Sequence, residues 1–296
     1  MPTYARDVIP KVSQLSDLPN GIWNWWLAGL TGLLVGSFLN VVIHRLPLML
    51  ERRWMRECAE LNGQEPAPQE PLGLAQPRSR CPACGTLIRW HQNIPLLSFA
   101  LLRGRCASCH SRISWRYPLV EALTGILFAW VVVRHGSGMA GLVGCGLAAA
   151  LIALAMIDWD TTLLPDDITL PLLWSGLIAA GLDWTGTSLA DSLWGAVTGY
   201  LSLWLINRCY ALIRHEDGMG NGDFKLLAAL GAWFGWQALL PILLLASVSG
   251  SVIGVALKLV DQLRDGRYLP FGPFLVLGGF CALLLGPADF MQWMKP

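Results

Sequence analysis

Two aspartates stand where a strongly apolar chain should carry no charge. Asp158 closes the run Gly146-Leu147-Ala148-Ala149-Ala150-Leu151-Ile152-Ala153-Leu154-Ala155-Met156-Ile157, and Asp223 lies in Gly218-Met219-Gly220-Asn221-Gly222-Asp223-Phe224-Lys225 ahead of another apolar stretch. Ionisable groups inside membrane segments are costly and mark functional sites by default. If the helices bring the two acids together, like-charge repulsion holds one protonated and leaves the other as a base. That is what peptide hydrolysis by an activated water, without a covalent nucleophile, requires. Gly220 and Gly222 remove side chains on the approach to Asp223 and read as an active-site loop with room for an extended peptide backbone. Leu163-Leu164-Pro165-Asp166 supplies a turn after Asp158, which places this acid at a break between two helices. Each acid also has a bland reading, Asp223 as a helix N-cap and Asp158 as an interfacial carboxylate beside Asp160. Asp166 is expected to cap the next helix with Asp167 in its first turn, and Lys225 either biases Asp223 or snorkels.

A second constellation is made of sulfur. Cys81-Pro82-Ala83-Cys84 and Cys106-Ala107-Ser108-Cys109 are two CxxC knuckles twenty-one residues apart, a spacing that suits a tetrahedral four-thiolate zinc site. Such a site is structural, since four sulfur ligands leave no position open for water. It would fold a polar segment that has no core of its own, and one zinc per chain is expected. His110 follows the last cysteine and offers an alternative ligand. Cys58, Cys145, Cys209 and Cys281 read as buried or idle thiols.

The elements that must position these groups are membrane helices. A chain of 296 residues with 54% hydrophobic and 14% charged residues and a mean hydropathy of +0.49 is too apolar for an ordinary soluble domain. Candidate spans, judged against the ~20 apolar residues a crossing needs, fall at about Ile22–Ile43, Pro118–Val133, Met139–Ile157, Ile168–Leu182, Leu189–Ile213, Phe224–Trp236, Leu239–Leu259 and Phe271–Phe290, of which the fourth and sixth are short by hydropathy alone. The expected fold is therefore an all-α polytopic membrane protein of about eight transmembrane helices with a small cytoplasmic zinc-binding module. Its parts are an extracytoplasmic segment 1–21, a first helix 22–43, a cytoplasmic loop 44–117 and a helical catalytic domain 118–296. The first twenty residues lack a basic start followed by a short apolar core, so the first span should be retained. The segment His44–Arg116 holds eleven arginines, and Arg208, Arg214, Lys225, Lys258, Arg264 and Arg267 fall on the same side if eight helices alternate. The positive-inside rule then puts the N-terminus outside, with the zinc loop and both aspartates at the cytoplasmic face.

Other chemistries find little support. The five histidines form no HExxH pair, no GxSxG elbow surrounds a serine, and no internal repeat is evident. Gly29, Gly32 and Gly36 read as a surface for close helix approach. A transporter or assembly scaffold carrying a zinc module is the competing class, because broken helices and buried acids also build ion pathways.

The ordered set of motifs resembles the bacterial type IV prepilin peptidases, the bifunctional leader peptidase/N-methyltransferases of the GxGD class. It comprises Gly32-Leu33-Leu34-Val35-Gly36-Ser37-Phe38-Leu39-Asn40-Val41-Val42-Ile43-His44-Arg45-Leu46-Pro47, both knuckles, Arg116-Tyr117-Pro118-Leu119-Val120-Glu121, Ile157-Asp158 through Leu163-Leu164-Pro165-Asp166, Gly220-Asn221-Gly222-Asp223-Phe224-Lys225-Leu226-Leu227-Ala228 and Pro270-Phe271-Gly272-Pro273. The resemblance implies an inner-membrane enzyme that cuts the basic leader from type IV prepilins or type II secretion pseudopilins after Gly. It would then methylate the new N-terminus with S-adenosylmethionine. Asp158 and Asp223 correspond to the catalytic pair of that family. Pilin-type substrates and the lipid bilayer are the expected partners, and nucleic acid is not. No Gly-rich strand-to-helix motif marks a methyl-donor pocket. Glu121 either steers the amine or pairs with Arg116, and Asn40 either joins helices or serves the site.

Overall fold

The computed structural model describes residues 21–65, 71–216, 218–260, 269–286 and 290. The expected extracytoplasmic segment, the centre of the Pro-rich insert and the 261–268 connection with Arg264 and Arg267 lie outside them. The architecture is helical, with α1 (Gly21–Leu61), α2 (Leu97–Leu101), α3 (Arg116–His135), α4 (Met139–Thr161), α5 (Asp166–Gly181), α6 (Leu189–Arg214), α7 (Asn221–Phe234), α8 (Leu239–Leu259) and α9 (Gly272–Leu285). Two isolated antiparallel bridges, Arg80 with Leu87 and Arg105 with Arg112, are the extended pairings found among the described residues.

Among the described residues five helices, α1, α3, α4, α6 and the segment Trp236–Leu259, are long and apolar enough to cross a membrane. The chain is a multi-pass membrane protein. Of the other three expected spans, α5 has 16 residues and α7 and α9 have 14 each, so helix length does not establish a count of eight. Leu201, Leu205, Val248, Val252 and Ile126 are exposed on the outer helices, an apolar surface that suits contact with lipid.

The first helix runs well past its expected end at Ile43, because His44, Arg45 and Pro47 do not stop it. Leu46 is buried, Leu50 packs against the core, and Arg53 pairs with Glu57 at 2.9 Å one turn on. Apolar contact and i,i+4 pairing thus carry the helix into the segment expected as loop. At 41 residues it is ~60 Å long, about twice the hydrocarbon thickness.

Helix α7 is the centre of the bundle. Every residue from Leu226 to Phe234 is buried, so the helix is apolar all round and needs neighbours on every side. It packs against α5, α6, α8 and α9. The approach of α6 is close enough that a Cβ on either Gly195 or Gly231 would fall on the other's carbonyl oxygen. Gly32 and Gly36 serve α1 and α3 in the same way, a Cβ on Gly36 standing 2.7 Å from Glu121 Cα. The small-residue surface expected along α1 is therefore real at these two positions, while Gly29 meets α3 only at ordinary contact distance, 3.7 Å.

Gly231→Leu is expected to force α6 off α7 and to destabilise the bundle by at least ~1–3 kcal/mol. Thermal unfolding of the detergent-solubilised protein measures it, and an unchanged midpoint would contradict the close packing.

Candidate active site

Both aspartates are buried, Asp158 at 4% and Asp223 at 8% exposure. Asp158 lies within the last turns of α4, which continues to Thr161 and ends where Thr162 turns left-handed and donates its N–H to the Asp158 carbonyl at 2.8 Å. It is inside a helix and not at the break expected from Leu163-Leu164-Pro165, because the helix closes one turn later. Asp223 lies in the first turn of α7, two residues beyond the first helical residue, Asn221, and the N-cap is Gly220. The N-cap reading of Asp223 is thus replaced by a first-turn position.

The two acids meet. Asp223 lies within the electrostatic reach of Asp158, and each has one oxygen, Asp158 Oδ2 and Asp223 Oδ1, that is buried without a hydrogen-bond partner. Buried polar atoms are nearly always paired, and a bare oxygen on each of two neighbouring carboxylates is the arrangement that a polar guest such as water or a peptide carbonyl would complete.

The third wall is the start of α9. Gly272, its first residue, abuts Asp158 so closely that a Cβ there would stand 2.5 Å from Oδ2, and its backbone interacts with the carboxylate. The positive end of the α9 dipole therefore faces this acid. Sequence reasoning had given Gly272 no role beyond its motif. Its glycine identity after a phenylalanine and before a proline was the available signal, but only the packing shows what it admits.

The two glycines expected to open the approach to Asp223 divide. Nothing lies within 4 Å of a Cβ placed on Gly220, whereas one on Gly222 would meet Leu164 Cβ at 2.7 Å. Gly220 leaves open space. Gly222 belongs to the first helical turn and its missing side chain is filled by Leu164, which corrects the reading of it as room for substrate.

The flanking charges also pair differently from expectation. Asp166 is the first residue of α5, capped by Pro165 with no side-chain cap bond. Its carboxylate instead accepts from Lys225 Nζ at 2.7 Å on both oxygens, tying α5 to α7 beside Asp223. Arg116 pairs with Asp160 at 2.6 Å rather than with Glu121. The buried Glu121 accepts from the Leu96 backbone N–H at 2.9 Å, where Leu96 holds a positive φ of 57° that non-glycine residues seldom adopt. Asn40 joins helices, donating to the Gly36 and Tyr117 carbonyls at 3.3 and 3.1 Å.

The four knuckle sulfurs lie within 4.8 Å of one another, with Cys81 Sγ and Cys109 Sγ at 3.8 Å. Four sulfurs ~2.3 Å from a central ion stand ~3.8 Å apart, so the donor set fits a tetrahedral metal. The second knuckle has the same local geometry as the first. Cys81 N–H bonds Thr86 O and Cys106 N–H bonds Ser111 O, each at 2.9 Å, and Gly85 and His110 occupy the same left-handed position at φ 70° and 57°. His110 is thus a turn residue, outside the sulfur cluster. Backbone N–H groups of Cys84 and Ala83 lower the Cys81 thiol from 9.0 to about 6, and Ser111 holds Cys109 below its usual value. Both favour the thiolate that binds metal.

Fold and site define a class: helical membrane proteins with a pair of buried carboxylates at helix ends and a separate four-cysteine module. Residues 30–135 match the bacterial peptidase A24 N-terminal domain and residues 145–255 match the type IV leader peptidase family. The chain is 46% identical to a prepilin leader peptidase/N-methyltransferase of Burkholderia pseudomallei over 294 residues, 98% of this chain and 94% of the relative. It is 49% identical to one of the same name from Pseudomonas putida over 271 residues, 91% and 93% of the two chains. A third, from Pseudomonas aeruginosa, is 48% identical over 258 residues, 87% and 89%. No solved structure matches. The chain belongs to the type IV leader peptidase family, a family of aspartic proteases.

The Lys225–Asp166 pair is half open to solvent, with Asp166 at 53% exposure, and such pairs contribute little. Lys225→Met is expected to cost less than ~1 kcal/mol, read as a small shift in the unfolding midpoint. A loss of several kcal/mol would mean that the pair holds α5 in place.

Proposed function

We propose that this protein is a membrane aspartyl endopeptidase that removes the leader from type IV prepilins or type II secretion pseudopilins and then methylates the new N-terminus with S-adenosylmethionine. The observation that carries the reading is the pair of buried carboxylates on α4 and α7 of a leader-peptidase chain. Asp158 and Asp223 are the catalytic residues in this reading. One carboxylate takes a proton from the attacking water while the other donates one to the scissile carbonyl oxygen, and the roles exchange as the amine departs. The α9 N-terminus at Gly272 offsets negative charge on Asp158. Gly220 leaves the space beside Asp223 through which an extended leader junction enters.

The pair lies at the end of the bundle nearest the arginine-rich connections. The charge distribution supports an inner-membrane protein with its N-terminus outside and both acids at the cytoplasmic face. A pilin precursor, an apolar helix behind a charged leader, would present its junction at that depth. Zinc held by Cys81, Cys84, Cys106 and Cys109 has a structural role, fixing the loop whose Leu96 docks on Glu121. S-adenosylmethionine, when bound, would supply an electrophilic methyl group: the amine nitrogen would bond to that carbon as the carbon–sulfur pair leaves on S-adenosylhomocysteine, and the nitrogen would release one proton.

Asp158→Asn and Asp223→Asn should each abolish leader cleavage by the purified enzyme while leaving membrane insertion and metal content intact. Full activity in either variant removes the pair from the mechanism. The cleavage rate of the parent should follow a bell in pH whose two limbs belong to the coupled pair. A rate still climbing through alkaline pH would mean a different base.

Metal analysis of protein prepared without chelator should find about one zinc per chain. Cys81→Ser should lose it and loosen the loop before it affects carboxylate chemistry, as limited proteolysis of residues 62–115 would report. A chain without metal whose loop resists protease would overturn the structural role.

A further inference from the structure

A cavity of about 380 Å³ lies beside the last turn of α4, where α1, α3 and α4 converge. Asn40, His44 and Pro47 line it from α1, Arg116 and Tyr117 from α3, and Asp160 from α4. Its size falls within the range of small-molecule sites. It lies outside the carboxylate pair, because successive helical residues turn by ~100° and residues two apart point to nearly opposite sides. Asp160 thus faces this cavity from one side of α4 while Asp158 faces Asp223 and α9 from the other.

We infer that this cavity is the S-adenosylmethionine site. The inference rests on the methyl-transfer reading above and gives it a place. The donor carries a carboxylate, an ammonium and a sulfonium at one end and a flat purine at the other. The cavity presents both signs of charge together, Arg116 and Asp160 in contact at 2.6 Å with side chains about one-third exposed. The guanidinium suits the carboxylate of the ligand, and the aspartate suits its cationic end. The Tyr117 ring is 46% exposed and offers a face for the purine, over apolar wall supplied by Ile43 and Leu48. The frame is rigid, since Asn40 is buried and its amide clamps the Tyr117 carbonyl to α1.

The placement also orders the two reactions in space. An α-helix with its side chains is ~10–12 Å across, so the two sites flank one helix close to where it ends at Thr162. A new N-terminus released at the aspartates would round the end of α4 to reach the donor. Cleavage and methylation then need no common pocket.

Photolabelling with an azido-adenine analogue of S-adenosylmethionine tests the site in the unaltered, full-length protein in detergent. Labelled peptides should map to 40–48, 114–117 or 158–163, and S-adenosylhomocysteine should suppress the label. Equilibrium binding of radiolabelled S-adenosylhomocysteine should weaken roughly tenfold or more in Asp160→Asn and in Tyr117→Ala, with unfolding profiles confirming that the variants fold. If the parent protein binds no S-adenosylhomocysteine, the methyl-transfer reading itself falls. If it binds but the label maps elsewhere, or both folded variants bind as the parent does, only this site falls. Suppression of the label by phosphatidylethanolamine vesicles and not by S-adenosylhomocysteine would assign the cavity to a zwitterionic headgroup and overturn the proposal.

Discussion

The constraint on which the structure depends is the cost of holding two carboxylates inside an apolar helical bundle. Burial of a polar group without a partner costs several kcal/mol in a medium that cannot hydrogen-bond. The surroundings must hold the acids in place. Here α4 and α7 carry the acids, and Gly272 at the head of α9 closes over Asp158.

That arrangement explains why α7 is short and central. Fourteen residues are too few to cross ~30 Å of hydrocarbon alone, but a helix buried on every side can end where the chemistry needs it to end. Its first turn then delivers Asp223 to the depth at which α4 ends. The glycine contact between α6 and α7 narrows the interhelical gap so that the helix stays covered. Stability and site placement are thus met by the same packing.

The N-terminal part of the chain meets a different demand. Helix α1 leaves the apolar region as a continuous rod, Arg45 donates to the Gly73 and Pro77 carbonyls at 2.9 and 2.7 Å, and Glu121 holds Leu96. The four-cysteine module is therefore fastened to the membrane helices ahead of its first knuckle and between the two.

Composition and local pattern determined the class of this protein, because apolar runs of spanning length, a pair of CxxC motifs and two acids in forbidden places are all local properties of the chain. They were legible since lipid permits few solutions and thiolate spacing is specific to metal. Helix ends and charge partners were not legible. His44, Arg45 and Pro47 look like a stop, yet α1 continues on the strength of Leu46 and Leu50 packing; Arg116 precedes Glu121 by little more than one turn, yet finds Asp160 on another helix. Gly222 looked like open space and is filled by Leu164. Such outcomes are set by which faces meet across the bundle. The sequence could name both aspartates, but only the crossing of α4, α7 and α9 decided that they share one site and that Asp160 faces another.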